Sequence, residues 1–229
     1  NLVADEFAHK DFTFVKFNFS HNGGTIQNPI DFPDLEAFGN NTYSKEVTDL
    51  NSVIAWSNKE FDAPIHIIGH SRGGGVVTLV AGGNSNVSKV ISWAAVADFK
   101  ERFPVGEKLQ EWKNKGVDYV LNGRTKQEMP HYYSFYEDFI KNEMNLTISK
   151  AAKRIRVPHL IIHGDKDEAV SVKDAHRLSS FNPKAELEII LGANHTFGSK
   201  HPWNEHFLPD SLREVVDKTI NFINSSNKL

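Results

Sequence analysis

Short apolar segments recur along the chain, separated by longer segments in which apolar residues repeat every three or four positions. The short segments are rich in β-branched and aromatic residues, and the first of them alternates between apolar and polar positions at its start. These patterns are typical of strands. They predict five strands, at residues 12–20, 65–69, 87–96, 156–165 and 185–191.

The intervening segments carry apolar residues at the spacing of one helix face. They predict five helices, at residues 2–8, 44–58, 72–83, 172–180 and 208–223. A long segment rich in Gly, Asn and Pro, residues 21–42, predicts a loop. Strands that alternate with helices indicate an α/β fold with a mostly parallel sheet covered by helices on both faces.

Residues 99–153 interrupt this alternation. The segment is polar, carries charged and aromatic side chains, and shows no clear strand pattern. We therefore interpret it as an insertion into a single α/β domain formed by residues 1–98 and 154–229.

Composition narrows the class of protein. The chain has 229 residues, 39% of them hydrophobic, with a net charge of −3, which is typical of a globular domain with a sizeable core. The 26 basic residues are scattered, which disfavours nucleic acid as a partner. No apolar run approaches the roughly 20 residues of a membrane-spanning helix.

The absence of cysteine excludes disulfides, thiolate catalysis and Cys-ligated metal. It fits a reducing compartment, although an exported protein without disulfides would have the same composition. Two Asn-x-Ser/Thr sequences lie where a glycan would be damaging, at Asn18 in a predicted strand and at Asn194 beside a histidine. Both observations lead us to expect a cytoplasmic location.

The sequence Gly-His-Ser-Arg-Gly, residues 69–73, lies where a predicted buried strand meets a predicted helix. A serine there could simply cap the helix. Flanking glycines instead favour a nucleophile elbow, a tight turn that exposes a serine hydroxyl at the end of a strand. Gly69 and Gly73 are expected to leave room for that turn, and Gly74 and Gly75 to let helix and strand pack closely. A phosphate-binding loop does not fit, because no Lys-Ser/Thr follows.

A serine nucleophile needs a base, and the base needs an acid to orient it. Asp165 and Asp167 directly follow one predicted strand, and His195 lies in the loop after the next. The carboxyl ends of parallel strands meet at one edge of a sheet, so these side chains should lie near Ser71. Spacing alone does not choose between Asp165 and Asp167.

The sequences GHSRGG, HGDKDEAV and GANHTF together resemble the α/β-hydrolase superfamily, nearer its esterases and acylhydrolases, and the resemblance spans residues 12–223. It implies a triad of Ser71, Asp167 and His195. It further implies that the backbone N–H of Arg72 forms half of an oxyanion hole. The insertion at 99–153 then corresponds to a cap over the active site.

One departure from the family concerns its first strands. The second oxyanion donor in the family comes from a loop after an early strand, and residues 1–9 resemble the helix that follows that loop. We therefore expect this strand and its donor to lie upstream of Asn1.

Several polar and aromatic residues are candidates for the substrate pocket. Tyr132, Phe135, Tyr136 and Phe139 are spaced as one face of a helix, which either packs the cap onto the body or lines an acyl pocket. His21 follows the first predicted strand and is a further pocket candidate or part of a turn.

A metal site is the least favoured interpretation of the histidines and acids. The potential metal ligands form two groups in the sequence. The first contains His163, Asp165, Asp167 and Glu168, and the second contains His195, His201 and His206. Neither has a His-x-x-x-His spacing, and a metal would compete for the triad itself. We expect no metal and no cofactor.

The resemblance implies a serine hydrolase that cleaves small or medium carboxylic esters, and hydroxycinnamoyl esters are a further expectation. A peptidase, a thioesterase and a carbon–carbon hydrolase would share the triad. A non-catalytic binding protein with this fold is the alternative from another class.

Overall fold

Four parallel strands form the main sheet of residues 2–225, the part of the chain described by the computed structural model. Their spatial order matches their order along the chain: β1 (Ile65–His70), β2 (Val87–Trp93), β5 (His159–Gly164) and β6 (Glu186–Ile190). Every residue of β5 is buried, as expected for a strand covered on both faces. The predicted parallel sheet is confirmed by these strands.

Helices cover both faces of this sheet. Successive side chains of a strand point to opposite faces, and in β2 Val90 belongs to one buried cluster while Ile91 belongs to the other. The helices of the first face are α3 (Tyr43–Glu60), α4 (Arg72–Ala81) and α8 (Val172–Phe181), and those of the second are α1 (Leu2–Ala8) and α9 (Asp210–Asn224). All five were predicted from periodicity, with ends shifted by at most two residues.

The prediction that residues 99–153 contain no strand was wrong. This segment contains an antiparallel hairpin of β3 (Val117–Leu121) and β4 (Glu128–Tyr132). The hairpin carries a proline and exposes most of β3, so neither strand shows apolar alternation. Its other elements are α5 (Glu107–Lys115), α6 (Ser134–Leu146) and α7 (Ile148–Ala152).

The predicted strand at residues 12–20 was also wrong. This segment has no regular secondary structure, although its phenylalanines are half-buried and Phe14 packs 5.2 Å from Phe7, centroid to centroid. A strand needs a neighbour to satisfy its backbone. Residues of the segment 12–17 and of β1, an edge strand among the described residues, line one cavity of about 630 Å³. The expectation of further strands upstream of Asn1 stays a prediction.

The predicted loop at 21–42 contains a short helix, α2 (Leu35–Gly39), whose first turn is capped by the Asp34 side chain. Between residues 2 and 225, no helix combines the length and the apolar character needed to cross a membrane.

Candidate active site

Ser71 occupies the turn between β1 and α4. Its φ and ψ are 56° and −119°, values that are strained for a residue with a side chain. The turn is held by the Ser71 N–H, which donates to the Trp93 carbonyl at 2.8 Å. The Ser71 hydroxyl makes no capping hydrogen bond to α4. The simple helix-capping interpretation of this serine is therefore wrong.

The glycines around Ser71 have different roles from one another. A Cβ on Gly69 would lie 2.2 Å from the Gly73 carbonyl oxygen, and one on Gly74 would lie 2.3 Å from the Cβ of Ala95. Both positions therefore exclude a side chain. A Cβ on Gly73 would meet no described atom within 4 Å, so the steric requirement that we predicted for Gly73 was wrong.

The side chains of Ser71, His195 and Asp167 form a continuous chain of hydrogen bonds. His195 Nε2 lies 3.0 Å from Ser71 Oγ, and His195 Nδ1 lies 2.7 Å from Asp167 Oδ2. Carboxylate oxygens only accept, so Nδ1 carries a proton and Nε2 faces the hydroxyl. Ser71, Asp167 and His195 follow β1, β5 and β6 respectively. The shared edge of these strands thus brings together residues that are 124 positions apart in sequence.

Asp167 is the acid in contact with His195, and its environment favours the ionised form. Its side chain is fully buried. Burial by itself would raise its pKa, but hydrogen bonds from the Val170 N–H, His195 and the Ala169 N–H outweigh burial and lower that pKa. Asp165 instead accepts a hydrogen bond from the Gly192 N–H, which ties the two neighbouring loops together.

His70 braces the loop that carries His195, a contact that sequence reasoning missed. Its Nε2–H donates to the His195 carbonyl at 2.8 Å, and the two ring centroids are 4.7 Å apart. Burial is the main cause that lowers the pKa of His70, which favours a neutral ring. Its position beside Ser71 in the sequence was the available signal.

Arg72 links the turn to α3 and to α6. Its Nε donates to Glu46 Oε2 at 2.9 Å, and its Nη2 lies 2.8 Å from Glu46 Oε1. Its guanidinium carbon lies 4.5 Å from the ring centroid of Tyr43 and 4.9 Å from that of Phe135. Glu46 is 4% exposed. Sequence analysis missed it, although it lies one turn from Leu50 on the apolar face of α3.

The four pocket candidates lie in three settings. Phe135 and Tyr136 lie on α6, where Phe135 packs against Tyr43 at 4.7 Å between centroids and Tyr136 packs against Phe103 at 5.2 Å. Tyr132 is the last residue of β4, not part of the predicted helix face, and its hydroxyl donates to Glu36 at 2.5 Å. His21 Nδ1 lies 2.7 Å from the Ser20 hydroxyl. Contact of these residues with a substrate stays a prediction.

No group of three or more His, Cys, Asp or Glu side chains among residues 2–225 is arranged to hold a metal ion. In the first of the two candidate groups, Asp165 and Asp167 have backbone partners, as described above.

Comparison with known proteins identifies a sequence relative and several solved structures of similar fold. No family model matches the chain. An uncharacterized peptidase of Bacillus subtilis, YtmA, is 29% identical over 154 residues, which are 66% of this chain and 51% of that protein. The chain thus spans about half the length of the curated relative that it matches.

Solved structures of hydrolases resemble this chain across most of its length. Est1E from Butyrivibrio proteoclasticus with ferulic acid bound has a TM-score of 0.60 and 19% identity, over 82% of this chain and 72% of that one. A structure of the metagenome-derived lipolytic enzymes LipS and LipT has a TM-score of 0.64 and 15% identity, over 96% and 85% of the two chains. At these identities the likeness concerns the fold.

Proposed function

We propose that this chain, which has the α/β-hydrolase fold, is a serine hydrolase that cleaves carboxylic esters through an acyl-enzyme intermediate. The observation that carries the proposal is the chain of hydrogen bonds from Ser71 through His195 to Asp167. This chain begins at a serine that is held at positive φ in a strand-to-helix turn. A hydroxyl in contact with an oriented base is the arrangement that nucleophilic catalysis requires.

In the proposed reaction, Ser71 Oγ attacks the ester carbonyl carbon while His195 Nε2 takes its proton. The tetrahedral intermediate collapses, the bond to the alcohol oxygen breaks, and His195 returns the proton to the leaving alcohol. Water, activated by the same imidazole, then hydrolyses the acyl-enzyme. Asp167 stays ionised throughout and stabilises the imidazolium that forms in each half-reaction.

The Arg72 backbone N–H is the proposed oxyanion donor. It belongs to the first turn of α4, where backbone N–H groups have no partner within the helix. The helix dipole adds a favourable potential for the developing negative charge. We propose that Glu46 and the rings of Tyr43 and Phe135 support this donor by fixing the Arg72 side chain.

We further propose that residues 99–153 form a cap and that the acyl group is aromatic. Phe135 of this segment packs with Tyr43, and both rings contact the residue after the nucleophile. Flat rings of this kind favour contact with a flat acyl group. The ferulic acid bound to Est1E makes hydroxycinnamoyl esters the first aromatic substrates to test.

A peptidase is the second candidate function, because the curated relative is described as an uncharacterized peptidase. Esters and peptides share the nucleophile and the acyl-enzyme, and they differ in the group that leaves. An amine leaving group depends more strongly on proton donation from His195.

The test compares two esters with an anilide, which stands for the amide bond of a peptide. Purified chain is assayed with 4-nitrophenyl acetate, methyl ferulate and an alanyl 4-nitroanilide, beside Ser71→Ala. The proposal predicts ester turnover that Ser71→Ala abolishes, with methyl ferulate cleaved. Cleavage of the anilide alone would favour the peptidase, and equal rates for both proteins on every substrate would contradict a serine hydrolase.

A further inference from the structure

His163 is a fully buried side chain beside Asp167 that takes no part in the reaction just described. It is the next-to-last residue of β5, and neither its side chain nor that of Asp167 is exposed. Its Nε2 lies 2.9 Å from the Val170 carbonyl oxygen and 3.1 Å from Asp167 Oδ2. The same Oδ2 receives the hydrogen bond from His195.

These contacts fix the tautomer of His163. A carbonyl oxygen and an ionised carboxylate can only accept, so the proton must be on Nε2. Nδ1 is buried and has no hydrogen-bond partner among the described residues. The ring therefore offers one N–H, directed at the turn that carries Asp167.

The turn from Asp167 to Val170 closes on itself through backbone donors. The Ala169 and Val170 N–H groups donate to Asp167 Oδ1 at 2.9 and 2.8 Å. His163 binds the carbonyl of that same Val170. By binding the Val170 carbonyl, the His163 ring also fixes the position of the Val170 N–H, which is one of the two backbone donors to Asp167. The same ring places its N–H dipole beside Asp167 Oδ2, the oxygen that contacts His195.

We propose that His163 is a positioning residue for the Ser-His-Asp triad, whose Nε2–H fixes the Asp167 turn and moderates the attraction of the carboxylate for His195. This inference rests on the proposed function, since it needs His195 to act as a base. A further titratable side chain near the triad is His70, which contacts His195 from β1.

Removal of the Nε2 donor has two expected consequences. A looser Asp167 turn slows the proton transfer, and a change in geometry of this kind costs about tenfold in rate. A carboxylate with less donor contact also stabilises the imidazolium more strongly, so the acid limb of the pH–rate profile moves to higher pH by about half a unit. If His163 only filled space, its replacement would slow the reaction without moving the acid limb of the pH–rate profile.

The experiment measures the rate at which a fluorophosphonate labels Ser71 as a function of pH. In this reaction the Ser71 oxygen forms a bond to phosphorus, fluoride leaves with its electron pair, and His195 takes the hydroxyl proton. The matched variants are His163→Leu, which lacks a donor, and His163→Gln, whose amide N–H₂ can replace Nε2–H. Thermal unfolding of each variant identifies any that is not folded at the assay temperature.

The inference predicts slower labelling and a shifted acid limb in His163→Leu, with both restored toward wild type in His163→Gln. An unshifted limb in folded His163→Leu, or equal behaviour of Leu and Gln, would overturn it while leaving the proposed function intact. A wild type that does not label would overturn the proposed function and this role together.

A measurement on the unmodified protein covers the case in which His163→Leu does not fold. The ¹⁵N chemical shifts of the His163 ring distinguish a protonated Nε2 from a protonated Nδ1. A protonated Nε2 is expected, and a neutral ring protonated on Nδ1 would refute the proposed contact with Val170.

Discussion

Two carboxylates separated by one residue differ in what they contact. Asp167 contacts His195 and two backbone N–H groups, and Asp165 contacts the Gly192 N–H. The three sequence motifs predicted which side chains should meet, but spacing could not choose between two aspartates in one loop. The choice depends on the direction in which each side chain leaves the turn, which is set by the backbone bonds.

Substitution of each aspartate by asparagine separates these roles. Asp167→Asn retains the shape but no longer favours a proton on His195 Nδ1, so we expect kcat for ester hydrolysis to decrease by about 10³- to 10⁴-fold. Asp165→Asn retains an oxygen to accept from Gly192 and should stay close to wild type. Equal losses in the two variants, measured by steady-state kinetics, would contradict the assignment.

The lowered pKa of Asp167 also predicts a pH dependence of stability. A carboxyl whose folded pKa lies below its unfolded value stabilises the fold above the unfolded pKa. This contribution is lost as pH decreases from about 4 through the folded value. Urea unfolding of wild type and Asp167→Asn at several pH values measures it. The difference in unfolding free energy between the two proteins should shrink as pH decreases below about 4, and a difference that does not change between about pH 5 and pH 3 would refute the prediction.

A helix or strand was predictable from the sequence where its own residues are enough to determine its conformation. The strand β5 and the helix α9 have strong patterns and formed as expected. The segment 12–20 has an equally strong pattern and did not form a strand. A strand depends on a partner that local sequence does not contain, whereas a helix satisfies its own backbone.

The turn between β1 and α4 gives a matched pair of glycine substitutions. Gly69→Ala places a methyl group against backbone atoms of Gly73, which cannot rotate away, so we expect a loss of about 3 kcal/mol or more in unfolding free energy. Gly73→Ala meets no described atom within 4 Å and lies within α4, so alanine should raise the unfolding free energy by about 0.5–1 kcal/mol. Urea unfolding of both variants measures this difference, and a comparable loss in the two would contradict the geometry of the turn.

At the scale of the whole molecule, one buried cluster joins residues 99–153 to the rest of the domain. Phe103 and Phe139 of this segment pack with Tyr43 of α3, at 6.1 and 6.2 Å between centroids. Tyr43 also stacks on Phe99 at 3.8 Å, and burial raises its pKa to about 12. Of the aromatic residues that were predicted to share one helix face, Phe139 therefore packs residues 99–153 onto the domain, while Phe135 also contacts Arg72.

The overall fold was predictable from the sequence, whereas the packing of this aromatic cluster was not. Alternation of strands and helices predicted the parallel sheet, and the resemblance predicted the α/β-hydrolase fold that the solved structures share. The aromatic cluster was not predictable in detail, since its members come from segments that are far apart in the sequence. Contacts of this kind depend on tertiary packing, which periodicity does not encode.

The central claim is that Ser71 is an activated nucleophile. The most direct test is to expose the protein to a fluorophosphonate, measure its intact mass and map the modified residue, beside Ser71→Ala. The account predicts a single adduct on Ser71 and none on Ser71→Ala. An unmodified wild type, or an equal adduct on Ser71→Ala, would contradict it.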